Sequence, residues 1–299
     1  MKETLHHVKA STQYKREHKP DYGHEKIQIL YEDKDIAVIL KPSGMLSVPY
    51  PGSKARTALD VLEKIMRSKG TWTKNHKPFT VHRLDRDTSG VMMFALNETV
   101  QHKIMATWHT MVTERLYHAV AENPKDNKKI LPDSGLIDDN LAQNTHHVGY
   151  VPGEDDNAKT TAARTHYKII ERGATHTLFE LELDTGKKNQ IRAHLSNKGY
   201  PLAGDENYRA KTDPFHRLAL HARSLKFIHP VTGEKMRFDI PEPEEWLNYV
   251  KKGDSHPALP VWLQKQKPEH KPSAHVIKTE SRKSLRHMNF IERGQHFSK

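Results

Sequence analysis

Asp85 is the residue of this 299-residue chain whose type and position most directly suggest chemistry. It lies in residues 82–90, a segment dense in histidine, arginine and aspartate that ends in a Thr-Ser-Gly turn. The run that follows, residues 90–96, is so apolar that it must be a buried strand, which places the carboxylate at the edge of a sheet. There the carboxylate could act as a nucleophile or as an anionic stabiliser. The segment alone equally permits Asp85 and Asp87 to be solvated turn residues.

Arg192 lies in a second segment of interest, residues 183–194, which has the pattern of a strand, a glycine turn at Gly186 and the start of a helix. Backbone N–H groups and the helix dipole favour anions at such a start. Arg192 could therefore reach a phosphate or a carboxylate in an adjacent pocket. Taken singly, an arginine near a helix start is usually paired at the surface, and a strand tyrosine such as Tyr117 usually packs in the sheet. Only a joint pattern would give these residues a function.

The elements that position these residues are short strands separated by turns and a few helices. Two apolar runs, residues 27–31 and 36–40, predict a hairpin. Thr57 is predicted to cap a helix that extends through Met66, and Asn97 to cap the next helix. Further strands are predicted at residues 90–96, 115–121, 165–170, 177–183, 217–228 and 235–240, and further helices at residues 98–107 and 189–197. The pattern indicates an α+β fold with a mixed, largely antiparallel central sheet flanked by helices.

The formal net charge of +11 points to a polyanionic partner, nucleic acid before an anionic membrane surface. Residues 251–299 hold eleven Lys or Arg against four Asp or Glu and so carry +7 of that charge. We interpret residues 1–26 as a flexible arm, residues 27–250 as one catalytic domain, and residues 251–299 as a basic, disordered tail.

Other features of the composition exclude several kinds of site. The chain has no cysteine, which excludes disulfides and thiolate metal ligands. Nothing in the sequence resembles a signal peptide or a membrane-spanning run, so we expect a cytoplasmic protein with no membrane partner. The 22 histidines, including the pair His146 and His147, lack the spacing of a metal site. We therefore predict no metal.

The joint pattern of several motifs resembles the RluA-type pseudouridine synthases. The matching segments occur in the family's order and are residues 41–44, 82–90, 115–119, 186–194, 199–205 and 217–222. The resemblance covers roughly residues 27–250. It implies the pseudouridine synthase catalytic fold and an isomerase that converts uridine to pseudouridine in structured RNA, ribosomal or transfer, without a cofactor. We expect a monomer.

The resemblance also implies roles for individual residues. Asp85 matches the aspartate that attacks the target nucleoside, Tyr117 the tyrosine that stacks on the flipped uracil and assists proton removal, and Arg192 the arginine that pairs with the catalytic carboxylate. Arg83 matches the arginine that fills the gap left in the RNA stack. The residues predicted to contact the substrate are His82, Arg83, Lys187, Asn189, Gln190 and Ile191.

These residue types suit the chemistry that the resemblance implies. The reaction breaks a carbon–nitrogen bond, turns the base and rejoins it through a ring carbon, so it needs an anionic group and no redox agent. Burial in a dry pocket would raise the pKa of a carboxylate, and a nearby arginine opposes that rise. The target uridine is stacked in RNA, so it must be extruded at a cost of a few kcal/mol. An aromatic side chain can offset that cost.

One segment departs from the family pattern Gly-Arg-x-His-Gln-Ile/Leu-Arg. Lys187 and Asn189 stand where that pattern has Arg and His. Asparagine is a good helix cap, so we expect Asn189 to cap the helix and the backbone geometry to survive. Lysine cannot reproduce a bidentate phosphate contact, so the departure concerns the choice of target more than the chemistry.

Two alternatives compete with this interpretation. Residues 85–88 faintly resemble the paired-aspartate loop of magnesium-dependent aspartyl phosphohydrolases, with residues 204–206 as further acids. That loop should follow a continuous apolar strand, and residues 80–83 are not one. The second alternative is a catalytically silent RNA-binding or assembly factor, with which the basic tail is compatible. The intact set of Asp85, Tyr117 and Arg192 argues against it.

Overall fold

The computed structural model of the protein describes residues 4–7, 26–50 and 52–252. The predicted basic tail after Lys252 and most of the predicted N-terminal arm lie outside these residues, so their assignments stay predictions. Thr4–His7 is a short strand, β1, which the sequence pattern did not indicate. It pairs in parallel with a strand near the end of the described chain.

Strands dominate the chain, and four helices accompany them in its described part. After β1, the strands are β2 Gln28–Glu32, β3 Ile36–Lys41, β4 Phe79–Thr80, β5 Ser89–Ala95, β6 Val112–Glu122, β7 Ser134–Ile137, β8 Ala142–Gln143, β9 Gly149–Tyr150, β10 Thr165–Arg172, β11 His176–Leu183, β12 Leu220–Ile228 and β13 Lys235–Asp239. The helices are α1 Ala58–Lys69, α2 Glu98–Met111, α3 Gln190–Asn197 and α4 Glu244–Lys252.

One large sheet has the strand order β2-β3-β5-β12-β6-β11-β10-β7, with β13 and β1 branching from β12 and β4 pairing with β5. The described pairs are antiparallel except β5 with β12 and β1 with β13. Strands β8 and β9 form a separate two-stranded sheet. The predicted α+β class with a mixed, largely antiparallel sheet is confirmed.

Helices α1 and α2 cover opposite faces of β3 and β5, because alternate residues of a strand point to opposite sides. Val38 and Met93 pack with the buried stripe of α2, whereas Ile39 and Phe94 pack with that of α1. Both strands are therefore buried along their full length. Both predicted helix caps are confirmed, since the Thr57 hydroxyl accepts from the N–H of Asp60 and the Asn97 amide oxygen accepts from the N–H of Val100.

Gly90 allows β5 to approach β12 closely at the point where the Asp85 segment ends. It has a φ of +127°, and a Cβ there would lie 2.3 Å from the carbonyl oxygen of Ala222. Only glycine adopts such a backbone conformation readily. The close approach fixes the loop before β5 against the centre of the sheet.

The end of the described chain differs from the prediction. Glu244–Lys252 forms α4, where only the end of the domain was expected, and it buries Trp246 and Val250 against β6 and β11. Pro241 and Pro243 immediately before it obscured the helical pattern. Among the described helices, none combines the length and the apolar character that a transmembrane span requires.

Candidate active site

The loop that carries Asp85 is held from behind by residues 41–47. The ammonium group of Lys41, fully buried, donates to the carbonyl oxygens of Met45 at 2.7 Å and Arg86 at 3.0 Å. The hydroxyl of Ser47 donates to the carbonyl oxygen of Leu84 at 2.7 Å and accepts from the N–H of the same residue. These bonds hold the backbone on both sides of Asp85 in place.

The Asp85 carboxylate faces two side chains from the start of α3. The Asn189 amide donates to Asp85 Oδ2 at 2.6 Å, and Arg192 Nη1 lies 3.8 Å from the same oxygen. The Asp85 side chain retains 21% of its exposure, so the carboxylate is still open to the cleft. The structure thus brings a carboxylate, a neutral donor and a cation together from segments 104 residues apart.

Arg192 binds Asp205 more closely than it approaches Asp85. Its Nε and Nη2 donate to the two oxygens of Asp205, each at 2.7 Å, and both side chains are buried. Burial would lower the pKa of Arg192, but the hydrogen-bonded Asp205 carboxylate, with Asp85 behind it, raises that pKa above its ordinary value. Arg192 is therefore a fixed cation, and the predicted pairing with Asp85 is the longer of its two contacts.

Asp205 and Tyr208 were missed as site residues in the sequence. Gly204 gives Asp205 its position, because a Cβ on Gly204 would lie 2.1 Å from the carbonyl oxygen of Arg217. The Tyr208 ring faces the Arg192 guanidinium at 4.9 Å, and its hydroxyl donates to the carbonyl oxygen of Gly149. Asp205 belongs to a motif segment, but nothing in the sequence shows that it faces Arg192.

The predicted helix cap at Asn189 is wrong. Asn189 precedes α3 with φ 56° and ψ 23°, and its side chain makes no cap hydrogen bond. The side chain is directed away from the helix because its amide donates to Asp85 and its oxygen accepts, at 3.5 Å, from the N–H of Gly149. Asparagine tolerates the left-handed conformation better than most residues. Asn189 therefore connects β9 to the carboxylate.

Gln190 was predicted to contact the substrate, and its hydrogen bonds contradict that role. Its amide oxygen accepts from the hydroxyl of Thr185 and the N–H of Lys187, and its nitrogen donates to the carbonyl oxygen of Arg164 and the hydroxyl of Thr165. A glutamine amide has two donors and two acceptor positions, so none is left for RNA. Gln190 instead holds the loop before α3.

His82, which was also predicted to contact the substrate, makes its observed contacts within the protein. Its Nε2 accepts from the N–H of Met93 at 2.9 Å, and its ring lies 4.9 Å from that of Trp108. Burial, with the positive Arg115 nearby, lowers the pKa of His82 to about 3. The imidazole is therefore neutral at physiological pH, and its contact with β5 fixes the start of the Asp85 loop.

The other predicted residues lie around the same cleft, which has a volume of about 470 Å³. Tyr117 lies beside Asp85, and burial raises the pKa of its hydroxyl. Ile191 is buried in the wall of the cleft, while Arg83 and Lys187 are exposed at its rim. The size is ordinary for a small-molecule or single-base pocket.

A group of potential metal ligands occurs away from this cleft. Asp33, Asp35 and His229 bring ligand atoms within 4.8 Å of one another at the turn between β2 and β3, and no other such group lies within the described ranges. Asp33 already accepts hydrogen bonds from the N–H groups of Asp35 and Ile36 and from His229. The group therefore braces a turn, and it does not adjoin Asp85.

Comparisons with known proteins agree on one family. The family model described as RNA pseudouridylate synthase matches residues 35–197. An uncharacterized RNA pseudouridine synthase, YlyB, of Bacillus subtilis (strain 168) is 34% identical over 231 residues, which is 75% of this chain and 72% of the relative. The ribosomal large subunit pseudouridine synthase D of Pseudomonas aeruginosa is 33% identical over 236 residues, 74% of this chain and 70% of the relative.

Solved structures share the fold. The human RNA pseudouridylate synthase domain containing 4 has a TM-score of 0.58 and 23% identity, covering 73% of this chain and 90% of its own. The protein described as human RNA pseudouridylate synthase domain containing 1 has a TM-score of 0.57 and 23% identity. The match covers 73% of this chain and 84% of that protein.

Proposed function

Because the chain belongs to the RNA pseudouridylate synthase family and is an RNA-modifying isomerase of the RluA type, we propose that Asp85 is its catalytic nucleophile. The matches to the family model and to its relatives confirm the predicted resemblance. The observation that carries the proposal for Asp85 is its 21% exposed carboxylate, which faces the cleft between Asn189 and Arg192.

The surroundings of Asp85 suit a carboxylate that must react as an anion. The amide of Asn189 donates to the Asp85 carboxylate at 2.6 Å, and the positive guanidinium of Arg192 lies 3.8 Å from the same oxygen. Because Asp205 holds Arg192 with two hydrogen bonds, the cation stays in place while Asp85 forms and breaks a bond to the nucleoside. The Asp85 carboxylate bonds to the ribose carbon as the carbon–nitrogen bond breaks, and the uracil leaves with the bonding electrons. The base turns and its ring carbon bonds to the ribose carbon, which displaces Asp85. The proton on that ring carbon is lost, and the freed ring nitrogen takes one up.

Tyr117 serves as the platform for the flipped uracil. Its position in the cleft beside Asp85 supports this role. Burial raises the pKa of its hydroxyl, so the neutral phenol predominates and Tyr117 does not act as a preformed phenolate. Arg83 is exposed at the rim, where it can enter the space that the uridine leaves in the RNA stack.

Large-subunit ribosomal RNA is the proposed substrate, acted on in the cytoplasm by a monomer. Support comes from relatives named ribosomal large subunit pseudouridine synthase D and from the net charge of +11. A catalytically silent RNA-binding factor would not need Asp85, Tyr117 and Arg192 around one cleft, so the enzyme is favoured.

The experiment maps pseudouridine in total RNA from cells that lack this protein. The cells are restored with wild type, with Asp85→Asn, or with Asp87→Asn, a carboxylate two residues away that pairs with Arg86. We expect wild type and Asp87→Asn to restore a site in large-subunit ribosomal RNA and Asp85→Asn to restore none. A site confined to transfer RNA would overturn the substrate, and equal restoration by Asp85→Asn would overturn the nucleophile.

A further inference from the structure

Helix α2 presents an apolar surface to the cleft that holds Asp85. Met105, Trp108 and His109 are spaced i, i+3 and i+4, so they share one side of the helix, and all three line the cleft that holds Asp85. The core-facing stripe of α2 is separate, and Val100 and Ile104 belong to it. The Met105 side chain is apolar and yet 57% exposed.

Trp108 is held firmly at this surface. One part of its ring packs against the core and lies 4.9 Å from the His82 ring at an angle of 39°. His82 is itself fixed by the bond from the N–H of Met93. Trp108 is only partly buried, and within the part of the chain that the structure describes its indole N–H has no hydrogen-bond partner. A rigid aromatic edge and a donor therefore remain available at the cleft.

The charges around the surface fit a nucleic acid. Arg83, Arg115 and Lys187 line the same cleft, and Arg83 and Lys187 are exposed. Single-stranded nucleic acids bind where cationic groups follow the backbone and aromatic side chains stack on the bases. The thioether of Met105 adds a polarizable contact that tolerates any base. A peptide would not need the flanking cations.

We propose that Met105 and Trp108 form a second base subsite, which binds an unstacked nucleobase adjacent to the target uridine. The subsite rests on the proposed function, because the flipped uridine at Asp85 sets where its neighbour can lie. Extrusion of the target leaves its neighbour unstacked. The subsite captures that neighbour and so holds the RNA open during turnover.

Substitution of the surface provides the first test, with the transcript that carries the mapped uridine as substrate. Base stacking on an aromatic side chain contributes enough that Trp108→Leu should raise the KM for RNA about tenfold. Trp108→Phe retains a ring and should stay close to wild type. Met105→Ala, which removes an exposed side chain and leaves the core intact, should raise the KM severalfold. Ile130→Ala is the matched control, because Ile130 is 51% exposed and lies outside the cleft.

An abasic nucleotide next to the target uridine separates stacking from a general loss of structure. The abasic nucleotide should raise the KM of wild type by about the same factor as the Trp108→Leu substitution does. In Trp108→Leu itself, the abasic nucleotide should raise the KM little further. The subsite would be overturned if an abasic nucleotide, at each position next to the target, weakened Trp108→Leu by as much as it weakens wild type. So would an unchanged KM in both Trp108→Leu and Met105→Ala while turnover still depends on Asp85.

A binding measurement keeps the subsite distinct from the reaction. Short oligouridylate should quench the part of the tryptophan fluorescence that is lost in Trp108→Phe, whereas an abasic oligomer of the same length should not. Equal quenching by both oligomers would overturn the subsite. Base-dependent quenching with no turnover would support the subsite and count against the proposed enzyme.

Discussion

The side chain of Asn189 donates a hydrogen bond of 2.6 Å to the carboxylate of Asp85. Asn189 stands where the family pattern has histidine, and its left-handed backbone conformation directs the side chain away from the helix that it precedes. The residue that departs from the family pattern therefore contacts the proposed nucleophile. We expect this departure to affect the orientation of the Asp85 carboxylate.

Asn189→Ala should lower kcat by on the order of tenfold, because a hydrogen bond to a charged group contributes about 1.5–3 kcal/mol. The KM for RNA should change little. Asn189→His is the matched control, since histidine also tolerates this backbone conformation and supplies a ring N–H. It should retain most of the activity in a steady-state assay. A KM effect with normal kcat in Asn189→Ala would show that Asn189 binds RNA instead.

Asp205→Asn should destabilise the protein and lower kcat. Removing the charge from one partner of a buried ion pair leaves Arg192 uncompensated, which typically costs about 3–5 kcal/mol. The control is Asp139→Asn, which weakens the more exposed pair with Lys198 and should cost no more than about 1 kcal/mol. Urea unfolding measures both free energies. Equal losses in the two variants would mean that the Arg192 pair has no special role.

Lys41→Met should loosen the loop behind Asp85. The variant keeps the apolar stem but leaves the buried carbonyl oxygens of Met45 and Arg86 without the ammonium donor. Each lost partner costs about 1–3 kcal/mol. The control, Lys69→Met, removes a half-exposed lysine paired with Glu32 and should be nearly neutral. A stable Lys41→Met variant with normal kcat would contradict the bracing role.

Acid should destabilise the fold through His221. Its ring is fully buried between the hydroxyl of Ser89 and the carbonyl oxygen of Ile240. Burial, together with the charge of Arg217, lowers the pKa of His221 to about 3 from an ordinary 6.5.

The unfolded chain therefore binds more protons below about pH 6.5, and stability present above that pH is lost as the pH falls toward 3, by at most about 1.4 kcal/mol per pH unit. Thermal unfolding between pH 7 and about pH 5 measures the slope. It should be shallower in His221→Gln than in wild type, and unchanged in the exposed His102→Gln. Parallel slopes in all three proteins would refute the assignment.

Local features of the fold could be predicted from the sequence. The caps at Thr57 and Asn97 depend on residues three positions away, so their pattern is visible in the chain itself. The buried strand after residue 90 was predicted for the same reason. Asp85 was identified because its motif is compact.

The relations between distant segments could not be predicted. Asn189 was expected to cap a helix because that choice is local, whereas its observed partner, Asp85, is 104 residues away. Gln190 was predicted to contact the substrate from its place in the motif, whereas its observed partners Arg164 and Thr165 lie 26 and 25 residues earlier in the chain. The ion pair between Asp205 and Arg192 likewise depends on how the chain folds back after α3.

Conversion of uridine by the purified full chain tests the central claim most directly. The mapped RNA is incubated with wild type, Asp85→Asn and Asp87→Asn, and pseudouridine is quantified at the target position. We predict complete conversion by wild type and Asp87→Asn and none by Asp85→Asn, with RNA binding retained in all three. Conversion by Asp85→Asn at the wild-type rate would contradict the assignment of Asp85 as the nucleophile.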